Sequence, residues 1–139
     1  MPTKGISFIM FSGTADKFIP LGVITQSAVN LGMPVSVFVT GWAIPAFLKD
    51  GNKKVDRMPK EFEDMAPMLV KGLEEIKAPS WYEMLKTSKE TGDVKIYMCS
   101  MMAQALHVDT KNGLDPLVDD VVGAAAFLQM TDGMDKIMI

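Results

Sequence analysis

Two short runs, Ile6 to Phe11 and Val35 to Val39, constrain the fold more than any other stretch. Both are nearly unbroken strings of apolar, strand-favouring residues. A strand with one wet face alternates apolar and polar side chains, whereas a continuous run suits a strand covered on both faces. Between them, Leu21, Ile24, Ala28 and Leu31 are spaced 3, 4 and 3 apart. That is one face of a helix predicted over residues 15–31. Gly32-Met33-Pro34 closes this helix, and Pro20 is expected to trim or kink its start.

The rest of the chain continues the alternation. Thr40-Gly41-Trp42 ends the second strand, and residues 43–49 read as helical, with Pro45 tolerated in a first turn. Residues 50–78 carry Gly51-Asn52, Pro59, Pro67 and mixed charges, a pattern of short helices and loops that suits a lid or a contact surface. Ser80 caps a helix running to about Lys89, with Trp81 and Tyr82 on its buried side. Val94 to Met98 forms a strand that delivers Cys99 to a turn, and Ser100 opens a helical run to His107. A polar stretch follows, in which Asp119 and Asp120 read as solvated turn acids. A short strand at Val121-Val122, a helix over 124–130 and a last strand over 136–139 complete the chain. This order predicts an α/β fold of three layers, α/β/α, with a five-stranded, mainly parallel sheet, doubly wound in the flavodoxin manner. It predicts one domain over residues 1–139, with 50–78 as its irregular insertion.

Composition then excludes several classes of function. The net charge is −3, which gives no electrostatic footprint for nucleic acid. No apolar run approaches the ~18 residues that a membrane helix needs. Met1-Pro2-Thr3-Lys4 leads almost directly into a strand and lacks the layout of a signal peptide. One cysteine excludes an intramolecular disulfide and fits a reducing, cytoplasmic setting. One cysteine and one histidine also argue against a dedicated zinc or iron–sulfur site. There is no phosphate-binding G-x-x-x-x-G-K-[ST] loop and no Cys-x-x-Cys. The thirteen methionines read as core or interface filling.

Chemistry in such a sheet gathers at the carboxyl ends of its strands. Here those ends are Ser12-Gly13-Thr14, Thr40-Gly41-Trp42, Cys99-Ser100 and Gly123. Each pairs a small residue with a following helix, so backbone N–H groups there suit an anion. A thiol at a strand end directly before a helix is where a protein can favour thiolate. Against this stands the ordinary reading of a lone cysteine as a small core residue. Trp42 reads either as packing or as a wall that keeps water from the thiol. His107 lies ~12 Å from Cys99 along a continuous helix, too far for direct pairing, and reads as a helix-end histidine. Ser12 to Thr14 also resembles a flavodoxin phosphate loop, which leaves open a flavin- or nucleotide-binding module.

Three stretches, Ile6 to Thr14, Ile96 to Met101 and Val121 to Leu128, together with the length and element order, carry a likeness to a known family. The chain resembles the DsrE/DsrF-like sulfur-transfer proteins, in particular the small soluble DsrE-type members found beside TusA-like carriers and rhodaneses. The resemblance implies that Cys99 is the sulfur-accepting residue of a cytoplasmic sulfur carrier or sulfurtransferase, with no metal or organic cofactor. Ser12, Gly13, Thr14, Gly41, Trp42 and Ser100 would then shape its pocket. The implied partner is a TusA-like carrier or a rhodanese, as donor or acceptor, and the family usually forms homo- or hetero-oligomers. Two rivals remain: the flavin or nucleotide module, and a structural subunit whose cysteine is inert.

Overall fold

The computed structural model describes residues 4–139; Met1–Thr3, read above as the lead into the first strand, lie outside the described residues. The two apolar runs form strands β1 (Ile6–Met10) and β2 (Val35–Val39), and all five residues of β2 are buried. Helix α1 (Ala15–Asn30) joins them and differs from expectation in two respects. Its start is not trimmed, because helical residues continue on both sides of Pro20. Proline forfeits one bond, to the carbonyl four residues back, while burial of Phe18 and Leu21 beside it contributes about 1.5–3 kcal/mol each. Leu31, expected on the core face, is the C-cap and stays 74% exposed, since the helix turns away to reach Gly32.

After β2 the chain winds through 3-10 turns at Gly41–Phe47, Gly51–Lys54 and Lys60–Phe62 before helix α2 (Ala66–Glu75). Pro45 therefore lies inside a 3-10 segment and not in the first turn of an α-helix. Helix α3 (Trp81–Thr91) follows, capped by Ser80, whose Oγ accepts the Glu83 N–H at 3.1 Å. Strand β3 (Val94–Cys99) leads into α4 (Ser100–Ala105), which is shorter than expected. His107 is left-handed at φ 56, and the Val108 N–H turns back to the Ala103 carbonyl, a standard helix stop. Strand β4 (Asp120–Val122), helix α5 (Ala124–Met130) and strand β5 (Asp135–Met138) complete the fold.

The five strands pair in parallel throughout, in the order β4-β3-β2-β1-β5. The chain steps in one direction from β1 to β4, so right-handed crossovers stack α1, α3 and α4 on one face of the sheet. The return from β4 to β5 puts α5 on the other. The core divides accordingly. Phe8, Val37, Ile96 and Met98 pack with residues of α1, α3 and α4, whereas Phe38 and Cys99 pack with Phe127 of α5.

Two carboxylates tie the connections down. Asp119, read above as a solvated turn acid, accepts the Ile96 N–H at 2.7 Å and Lys89 Nζ at 2.5 Å, joining β3 to α3 and fixing the approach to β4. Asp115 is buried and accepts the Tyr82 hydroxyl at 2.9 Å and the Leu117 N–H at 2.8 Å. Burial, and then the hydrogen bond and charge of Asp115, push the Tyr82 pKa up to about 12.

Leu21→Ala, in fully buried surroundings, is expected to cost about 2–5 kcal/mol in urea unfolding, against about 0.5 kcal/mol or less for Leu31→Ala. The raised Tyr82 pKa favours the protonated, folded state. Its contribution is complete below the ordinary value of 10.0 and lost as pH rises towards about 12. Tyr82→Phe should therefore flatten the fall in stability over that window, measured by denaturant titration at a series of alkaline pH values.

Candidate functional site

The topology places Cys99 where the connections part. It is the last residue of β3, opposite Val122 of β4. The chain leaves β3 towards the α1–α3 face and leaves β4 towards the α5 face. Adjacent carboxyl ends whose connections diverge in this way define the crevice of a doubly wound sheet. Ser100 and Gly123, the residues that start the two departures, are neighbours: a Cβ added at Gly123 would meet only Ser100 Oγ, at 3.8 Å. Both are exposed, which leaves an opening between the N-terminal ends of α4 and α5.

The thiol itself is covered. Period-two alternation along β3 turns Tyr97 and Cys99 to the α5 face, where Cys99 is 5% exposed and packs in a cluster with Phe38 and Phe127. The Phe38 and Phe127 rings stack at 4.8 Å, and Tyr97 meets Phe127 edge-on at 6.2 Å. Ile9, Met102 and Val122 pack against the same cluster. Burial, followed by the negative charges of Asp119, Asp120 and Asp93, raises the Tyr97 pKa, so its phenol stays neutral. A sulfur atom here sits in apolar surroundings.

The remaining residues singled out from sequence form a second group beside it. Gly41 adopts φ 54, a conformation favouring glycine, and a Cβ there would run into the Phe11 ring at 2.4 Å. A Cβ at Gly13 would lie 2.4 Å from the Trp42 carbonyl oxygen. The loops after β1 and β2 are therefore packed on each other. Trp42 is 65% exposed at the rim, while Phe38 and Phe127 supply the aromatic packing of the cysteine. Ser12 and Thr14 hydroxyls bond each other at 3.3 Å. The N–H groups of Phe11 and Ser12 donate to the Ile139 carbonyl, and that of Ala15 to the Arg57 carbonyl. Within the Ser12–Thr14 loop this commits the Ser12 N–H. His107 is exposed beyond the end of α4. No group of three or more His, Cys, Asp or Glu side chains among the described residues is placed to hold a metal ion. No helix among them is long and apolar enough to cross a membrane.

Phe127, Phe38 and Gly123 are the neighbours of Cys99 that local sequence motifs do not reveal as a set. Only the alternation along β3 and the return of the chain through α5 bring them together.

Fold and site define a doubly wound, all-parallel α/β protein with a single thiol at its switch point. The chain belongs to the DsrE/DsrF/DrsH-like family, whose profile matches residues 2–81. This match spans β1 to the start of α3 and ends before Cys99. The uncharacterized protein YrkE of Bacillus subtilis (strain 168) is 24% identical, over 91% of this chain and 90% of its own. The structure of MTH1491, a protein of unknown function from Methanobacterium thermoautotrophicum, superposes with a TM-score of 0.60 at 14% identity, covering 96% of this chain and 97% of that one. Family membership suggests a sulfur-related function.

Because Phe127 is the one buried residue of α5 and packs in the cluster with the thiol, Phe127→Ala is expected to speed the reaction of Cys99 with a small aromatic disulfide reagent roughly tenfold or more. The same variant should lose about 3–5 kcal/mol of stability. Phe127→Leu, keeping most of the volume, should show smaller changes in both. Thiol release followed by absorbance, beside an unfolding curve, checks the pair.

Proposed function

We propose that the protein is a sulfur carrier that accepts sulfane sulfur or a thiosulfonate group on Cys99 and passes it to a partner thiol. The observation that carries this reading is the position of Cys99, the chain's one thiol, at the β3–β4 switch point of a sheet belonging to this family. The chemistry needs one thiolate. Cys99 Sγ attacks the outer sulfur of a donor persulfide; the donor S–S bond breaks, the donor leaves as thiolate, and Cys99 holds the persulfide. An acceptor thiolate then attacks that outer sulfur and releases Cys99 as thiolate, with no net oxidation. With thiosulfate the leaving group is sulfite. With tetrathionate it is thiosulfate, and Cys99 carries the thiosulfonate.

The apolar cluster suits a cargo that hydrolytic and oxidative side reactions would destroy in open water. The exposed opening at Ser100 and Gly123 is the route by which a small donor approaches. We assign the donor or acceptor role to a TusA-like carrier or a rhodanese, whose tethered sulfur would enter by the same route, in a cytoplasmic setting. The Ser12–Thr14 and Gly41–Trp42 loops form the adjoining rim on which such a partner rests. One observation favours a second reading: a cysteine 5% exposed among phenylalanines is also what an inert core thiol looks like.

Intact mass separates the two. After incubation with thiosulfate, tetrathionate or a low-molecular-weight persulfide, wild type should gain one sulfur atom or one thiosulfonate group, lost again on reduction. Cys99→Ala should gain nothing. A wild-type chain that no donor modifies, and that a small alkylating reagent also leaves untouched, would establish the inert-core reading.

A further inference from the structure

The segments that meet at the carboxyl edge of the sheet carry no ionised side chain. Residues 5–15, 40–48, 96–106 and 121–131 hold no lysine, arginine, aspartate or glutamate, in a chain of which 22% is charged. Burial accounts for this within the strands. It does not account for the residues past their ends. Trp42, Ser100, Met101 and Ala124 are all exposed, and Met101, directly after Ser100 at the opening, is 70% exposed. Charged residues ordinarily occupy such surface, and a helix start favours an acid in its first turn. Helices α1 and α3 follow that preference with Asp16 and Glu83, whereas α4 and α5, which flank the opening, have none.

The cations on this side of the sheet are distant or committed. Lys95 shares the α5 face of β3 but lies four residues before Cys99, about 13 Å back along an extended strand. The Lys136 ammonium donates to the carbonyls of Thr131 and Met134. Arg57 meets the loops through its carbonyl, at the Ala15 N–H next to β1, and two strand spacings, about 10 Å, separate β1 from β3. On β4, Asp120 shares a face with Val122, which lies opposite Cys99, so the charge contributed there is negative. An anion entering the Phe38–Phe127 cluster would therefore lose hydration without gaining a counter-charge among the described residues.

We infer that the sulfur donor is an organic persulfide, R–S–SH, with an apolar and uncharged R group, taken up in its neutral form. This rests on the sulfur-carrier reading and narrows its donor. The Cys99 thiolate attacks the outer sulfur, the S–S bond of the donor breaks, and R–S⁻ leaves with the bonding pair. The proton stays on the outer sulfur, now bound to Cys99, and nothing is consumed as oxidant or reductant. Met101 and Ala124 offer the R group apolar contact at the opening, where a sulfonate would need a cation.

Iodoacetamide and iodoacetate, similar in size and unequal in charge, test the field at the thiol. Each alkylation rate on the folded chain is divided by the rate on the same chain unfolded in urea at the same pH, with intact mass as the readout. Folding should slow iodoacetate at least about fivefold more than iodoacetamide. On the same normalisation, benzyl persulfide should modify Cys99 faster than thiosulfate or tetrathionate by a similar margin. Met101→Lys should recover most of the deficit for the anions, and Met101→Gln should not. Iodoacetate and iodoacetamide slowed alike, or tetrathionate taken up as readily as benzyl persulfide, would overturn the inference and leave the carrier reading standing. Equal behaviour of the Lys and Gln variants would also overturn it, because charge at the opening would not be the cause. A Cys99 that no sulfur donor modifies, whatever its alkylation, would overturn the carrier reading and this inference with it.

Discussion

The structure depends on β2 being dry on both sides. Its five residues pair with β1 on one edge and β3 on the other, and neither face reaches water. A strand in that position cannot carry alternating polar residues, and its neighbours must connect by crossovers that lay helices over it. Once β1, β2 and β3 step the same way, α1, α3 and α4 must share a face. The chain can cover the other face only by returning from β4 to β5. The switch point at Cys99 is thus a consequence of strand order and not a separately built feature.

Unequal cover follows from the same topology. One face receives two long helices, the 3-10 turns and α4; the other receives α5 alone, seven residues long, with Phe127 as its one buried residue. A single phenylalanine therefore bears most of the burden of keeping Phe38 and Cys99 from solvent. Thin cover is compatible with a thiol that must sometimes be reached. Local opening of a short, lightly buried helix costs far less than global unfolding.

Much of this was legible in the residues. The unbroken apolar runs specified inner strands, the Ser80 cap marked the start of α3, and the order of elements specified a doubly wound sheet. Misreadings arose where tertiary context outweighs local pattern. Leu31 completes a helical stripe in sequence but lies past the point where the core ends. Pro20 is tolerated because its neighbours are buried. Asp119 looks like a turn acid until Lys89 and the Ile96 N–H, both distant in sequence, converge on it. The aromatic packing of Cys99 was invisible for the same reason. Trp42 is near the cysteine in strand order, whereas Phe127 is twenty-eight residues away and reaches it only through the crossover.

The segment between β2 and α3 was legible in a different sense. Prolines, glycines and mixed charges mark it as irregular, and the apolar residues among them look like a weak core pattern. Periodicity alone places Met65, Leu69, Gly72 and Ile76 on one face but cannot say which way that face points. In most helices the answer is inward, because nothing else is available to cover an apolar stripe. Here burial divides the stripe: Met68 and Ile76 stay largely exposed, while Gly72 and Leu73 are half-covered. Amphipathic pattern thus identifies an apolar stripe, while only the fold decides how much of it the chain's own core covers.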